Sequence, residues 1–153
     1  MTPPAGAGDM IGPIDLQAAR KAAAERFFAI GMGYLPEGWT YSFRKALSGR
    51  CAWRRKHIVG PRPVTRKSLY IWLHECGHAQ LHGPRRKPRH VEEYEAEQWA
   101  HARMREHGIA VPKEMTIRAK KYVGRKIEQA EKHGARSIDA RARAFAAWKG
   151  KRP

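Results

Sequence analysis

The residues best suited to chemistry are consecutive: His74-Glu75-Cys76-Gly77-His78, inside the apolar stretch Leu69-Tyr-Ile-Trp-Leu73 and Ala79-Gln-Leu81. On an α-helix four residues turn by about 400°, so His74 and His78 project from one face a turn apart and can share one Zn²⁺. Glu75 falls about 60° around the helix from His78, beside the metal rather than on it. From there it can take a proton from a zinc-bound water. Two helix histidines satisfied by ordinary hydrogen bonds are the plain alternative, and the helical context favours the metal.

A catalytic zinc takes a third protein ligand and keeps its fourth position for water. Downstream, Glu95, Ala96, Trp99, Ala100 and Ala102 share one side of a predicted helix, with Glu93 and Glu97 pointing largely away. A carboxylate beside an apolar stripe is costly to bury unless it is paired or coordinates a metal, so Glu95 is the expected third ligand. Glu92, one turn earlier, is its rival or an outer partner, and His82, His90 and His101 leave a three-histidine site open.

The elements that hold these residues follow from periodicity and punctuation. Residues 1–13, rich in Pro and Gly, read as a flexible lead. From Asp15, a candidate N-cap, Leu16, Ala19, Ala23, Phe27 and Ile30 recur at helical spacing up to Gly31-Met-Gly33. Trp39–Phe43, Cys51–Trp53 and His57–Val59 read as short strands of a small antiparallel sheet, stopped by Gly60-Pro-Arg-Pro63. Thr65 caps a helix running to about His82, before Gly83-Pro84. Helices are expected from Val91 to His107, from Pro112 to Gly134, and from a cap at Ser137 or Asp139 to near Trp148. No internal repeat is present.

Charge narrows the partners. Among 153 residues, 31 Lys and Arg oppose 14 Asp and Glu, a net charge of +17. No acid lies between Glu37 and Glu75, where Arg44, Lys45, Arg50, Arg54, Arg55, Lys56, Arg62, Arg66 and Lys67 all fall. Arg85-Arg86-Lys87-Pro88-Arg89 forms a second cluster, and residues 113–153 hold thirteen basic residues against four acids. Such a surface attracts a polyanion, nucleic acid or a protein bound to it, unless the charges serve solubility alone. No apolar run is long enough to span a membrane, and no secretory leader is expected. Two cysteines, Cys51 and Cys76, make neither a disulfide framework nor a zinc ribbon, which fits a reducing, cytoplasmic setting. Cys76 points away from the histidine face and reads as a small buried hydrophobe. Trp39, Trp53, Trp72 and Trp99 read as core, base stacking by Trp53 or Trp148 being the other use of such rings. His57 and Tyr94 are both candidate transition-state donors.

HECGHAQLH, followed by EYEAEQWA and VPKEM, resembles the ImmA/IrrE family of metallopeptidases, with HExGHxxLH, an E-A-x-x-F-A helix and a Pro-containing exit. Trp99 stands for the usual Phe and IAVP for the common Leu-Leu-Met-Pro. The similarity covers about residues 50–125. It implies zinc ligands at His74, His78 and Glu95, a catalytic Glu75, and a zincin-like α+β fold whose short sheet packs on the active-site helix. It also implies a phage or mobile-element setting and, for some members, cleavage of DNA-bound repressors. SprT-like proteases also combine HExxH with DNA association but use a third histidine and often a zinc ribbon.

The expectation is therefore an α+β, zincin-like chain: a lead over 1–13, a metallopeptidase domain over 14–134, and a basic helix and tail over 135–153. Its function would be zinc-dependent peptide-bond hydrolysis by an endopeptidase whose substrate is a nucleic-acid-bound protein. A basic nucleic-acid-binding protein with a structural or vestigial zinc site is the reading from another class.

Overall fold

The computed structural model describes residues 13–83 and 86–147. Most of the expected lead, Arg85, Trp148 and the end of the basic tail lie outside them. Described elements run α1 (Pro13–Gly33), β1 (Thr40–Arg44), β2 (Arg50–Ala52), a 3₁₀ turn (Trp53–Arg55), β3 (His57–Pro61), α2 (Arg66–Leu81), α3 (Arg89–Glu106), α4 (Lys113–Lys132) and α5 (Ala140–Ala147). The class is α+β, with five helices and one three-stranded sheet among the described residues. No helix there is long and apolar enough to cross a membrane.

The sheet is mixed, not antiparallel as expected. Its order is β1-β3-β2, with β1 parallel to β3 (Tyr41 opposite Ile58) and β2 antiparallel to it (Cys51 opposite Ile58). β3 takes the centre because it carries Ile58 and Val59, and Ile58 is fully buried. β2 reaches it through the tight 3₁₀ turn, closed by Lys56 N–H donating to Trp53 O at 3.0 Å with Lys56 in the left-handed region at φ 50°. β2 is left as an edge strand.

Against β3 packs α2, the helix of the HExxH residues. Thr65 caps it as expected: Ser68 N–H donates to Thr65 Oγ1 at 3.1 Å, and Thr65 N–H donates to Ser68 Oγ at 2.9 Å. Leu69, Tyr70, Trp72, Leu73 and Cys76 are all but completely buried, each large apolar side chain contributing about 1.5–3 kcal/mol over an exposed one. Trp72 spends its polar atom too, donating Nε1–H to Gly31 O at 2.9 Å. Cys76 packs with Ile58, Trp72 and Ala79, the buried hydrophobe its position predicts. The second half of α1 joins this core through Phe27 and Ile30, whereas Leu16, at the start of the expected stripe, is 48% exposed.

On the other side of α2 lies α3, and the two approach closely at Gly77. A Cβ there would stand 3.2 Å from the Trp99 ring and 3.3 Å from the Ala96 backbone. The stripe α3 turns inward is His90, Glu93, Ala96, Glu97, Ala100 and Met104. Next, α4 packs on α3, and α5 packs on α4 through Val123, Ile127 and Ala142. Asp139 caps α5, its Oδ1 accepting from Arg141 N at 2.8 Å and Ala142 N at 3.1 Å.

Candidate metal centre

The Gly77 crossing sets one turn of α2 against the first turns of α3, so His74 and His78 face Glu93. Glu93 Oε1 is 3.1 Å from His74 Nε2 and Glu93 Oε2 is 2.9 Å from His78 Nε2, with the two imidazole Nε2 atoms 3.1 Å apart. One ligand atom from each of the three lies within 4.8 Å of the others, and all three residues are buried. Glu93 Oε2 has no hydrogen-bond partner despite its closeness to His78. Two ring nitrogens and a carboxylate converging this tightly bring together more lone pairs than protons to fill them, a donor set suited to a borderline-soft divalent cation such as Zn²⁺.

Behind His74 stands an acid, and behind His78 a further histidine with an acid beyond it. His74 Nδ1 is 2.6 Å from Glu97 Oε1, near but out of line for a hydrogen bond. His78 Nδ1 lies 3.1 Å from His82 Nδ1, and His82 Nε2 lies 3.1 Å from Glu95 Oε1. Lys87 Nζ donates to both Glu95 oxygens, at 2.9 and 3.0 Å, and Arg141 Nη2 is 3.6 Å away. Outer partners of this kind hold a ligating imidazole in one orientation and tautomer.

The third-ligand expectation is thus corrected. Glu95 does not meet the histidine pair; Glu93, expected to point away, does. The inner side of α3 is not purely apolar: Glu93 and Glu97 are themselves buried, each against an imidazole. Glu93, Ala96, Glu97, Ala100 and Met104 run at i, i+3, i+4, i+7 and i+11, a helical stripe that could have been found by admitting acids to it. The rivals have other duties. Glu92 accepts from Arg86 Nη2 at 3.0 Å, Arg86 Nε at 3.2 Å and Lys87 N at 3.2 Å, fastening the segment before α3. His90 Nε2 accepts from Asp139 N at 3.1 Å, and His101 stacks edge-on to Tyr70 at 5.4 Å.

Glu75 points into the same cleft from below β2. A Cβ at Gly49 would come within 2.8 Å of Glu75 Cγ and 2.7 Å of Val59 O, so a glycine is needed where the chain passes over this carboxylate. Burial pushes the Glu75 carboxyl up to about 7, with His74 opposing, and Glu97 up to about 8, with Arg118 opposing. For Glu93 burial also pulls upward, yet the hydrogen bond with His74 and the close His78 imidazole outweigh it and hold the group well below the usual carboxylate range. His78 is lowered to about 4, chiefly by burial.

The cleft, about 390 Å³, is lined by these residues and by Cys51 and Trp53 beside β2, Tyr70 and Ile71 of α2, and Met115, Arg118 and Tyr122 of α4. Neither His57 nor Tyr94 lines it. His57 is held by Thr40 at 2.7 Å and Ser42 at 3.0 Å, and Tyr94 stacks on Phe145. Trp53 stacks edge-on to Trp39. Compared with known proteins, the chain matches no family model, no curated protein and no solved structure.

Proposed function

We propose that the protein is a zinc-dependent metallopeptidase in which His74, His78 and Glu93 hold the ion and Glu75 is the general base. The observation that carries this reading is the convergence of three buried ligand atoms within 4.8 Å in a cleft that also holds the Glu75 carboxylate. Zinc bound there supplies a Lewis acid for the scissile carbonyl and acidifies its water. Glu75 takes the proton from the attacking water and delivers it to the leaving amine. His82 orients His78 through the Nδ1 contact, and Glu97 stands 2.6 Å from His74 Nδ1. β2, at the edge of the sheet among the described residues, offers backbone groups beside the cleft to an extended peptide.

An HExxH helix, a carboxylate from the following helix and a sheet on the opposite flank support a zincin-like architecture and the resemblance to the ImmA/IrrE family, with Glu93 in the role that the motif match assigned to Glu95. A repressor or other nucleic-acid-bound protein, in a phage or mobile-element setting, is the substrate that resemblance implies. SprT-like ligation has less support, since His82 meets the Nδ1 side of His78, away from the converging Nε2 atoms. A structural zinc would call for a closed set of four ligands, whereas three gather here among the described residues.

The test is hydrolysis of a mixed peptide pool by zinc-loaded protein, with new termini read by mass spectrometry. Wild type should cut; Glu75→Gln, with the same zinc content, should be slower by about 10²–10⁴-fold. Full activity in zinc-loaded Glu75→Gln, or absence of stoichiometric zinc from active protein, overturns the reading.

A further inference from the structure

Charge in the cleft is layered. Among the described residues four acids line it: Glu92 is paired with Arg86, Glu93 with the two imidazoles and with Arg89 Nε at 3.4 Å, and Glu97 stands 2.6 Å from His74 Nδ1, while Glu75 has no ion pair there. Outside them Arg50 from β2 and Arg118 and Arg125 from α4 line the same cleft. All three are exposed, and among the described residues none is ion-paired with a carboxylate. Arg118 is nonetheless held in place, its Nη2 donating to Leu47 O at 2.7 Å, and the Arg125 guanidinium lies 5.7 Å from the Tyr122 ring centre. Among the described residues no lysine lines the cleft.

We propose that Arg50, Arg118 and Arg125 select peptides bearing Asp or Glu side chains next to the bond to be cut. The cutting rests on the metallopeptidase reading; the binding does not. Guanidinium forks grip carboxylates bidentately, and three of them around one cleft repel a basic peptide as strongly as they attract an acidic one. A cleft of about 390 Å³ takes a few side chains of an extended segment, and β2 runs along it to register the backbone. Arg50 and Arg118, drawn from two separate basic stretches of the sequence, thus line the cleft of the candidate metal centre.

The experiment measures fluorescence anisotropy of three labelled peptides of equal length, with Asp/Glu, Ser/Gln or Lys/Arg flanking a common apolar centre, on zinc-loaded Glu75→Gln. The acidic peptide should bind about tenfold more tightly than the neutral one, with the preference shrinking as salt rises. Charge reversal at all three positions (R50E, R118E, R125E) should invert the order at unchanged zinc content. Arg50→Gln alone, on an exposed edge strand, should reduce the preference severalfold and serves should the triple variant not fold. Equal binding of the three peptides, an acidic preference surviving charge reversal, or displacement of the acidic peptide by a lower concentration of single-stranded mixed-sequence DNA overturns the proposal. If acidic peptides bind but wild type cleaves nothing, the peptidase reading alone fails. Cleavage by wild type without regard to acidity overturns the acidic selection alone.

Discussion

Glu93 Oε2 lies 2.9 Å from His78 Nε2 across the α2–α3 contact, while Glu95, two residues further on, is turned to His82 at 3.1 Å. Two residues on a helix differ by about 200° in direction, so the two carboxylates have different roles. Glu93 would bind the ion, and Glu95 steadies the imidazole behind His78.

Glu93→Ala should therefore lower zinc affinity by at least a hundredfold, and Glu95→Ala by about tenfold, the scale of an outer partner of a metal-bound histidine. Chelator competition monitored with a zinc indicator reads both. A larger loss from Glu95→Ala than from Glu93→Ala would contradict the assignment.

This pair also marks where the sequence was legible. The HExxH spacing placed His74, Glu75 and His78 on α2, and Thr65 and Gly83 bounded that helix, because caps and i, i+4 pairs are local. The direction α3 faces is not local. It depends on which side meets α2, and there Glu93 and Glu97 displace apolar residues because imidazoles wait opposite. Nor could strand length and spacing tell that β3 would enter between β1 and β2, since a meander and the observed order read alike in strands of three to five residues.

Gly77 is the contact that lets Glu93 reach the histidines. Gly77→Val should destabilise the fold by about 2 kcal/mol through overpacking against Trp99 and the Ala96 backbone, read as a lower urea midpoint, and should weaken zinc binding in the same protein. Gly77→Ala should cost less, because about 1 kcal/mol of helix propensity offsets the tighter contact. Unchanged stability and zinc affinity in Gly77→Val would remove the close crossing from the account.

The basic surface outside the cleft makes a separate prediction. If it holds phosphate, the protein binds a mixed-sequence duplex without strong sequence preference, and affinity falls steeply between about 50 and 200 mM salt, with a slope near −0.9 per phosphate neutralised. No binding at the low end, or affinity indifferent to salt, would leave the +17 charge as a solubility feature.

The coordination sphere of zinc-loaded protein, measured by X-ray absorption, tests the central claim most directly. Two imidazole nitrogens at about 2.0–2.1 Å, one carboxylate and one water oxygen, and no sulfur, are the predicted shell, with the carboxylate lost in Glu93→Ala. Four protein ligands with no water, a sulfur neighbour from Cys51 or Cys76, or a shell unchanged by Glu93→Ala would contradict it.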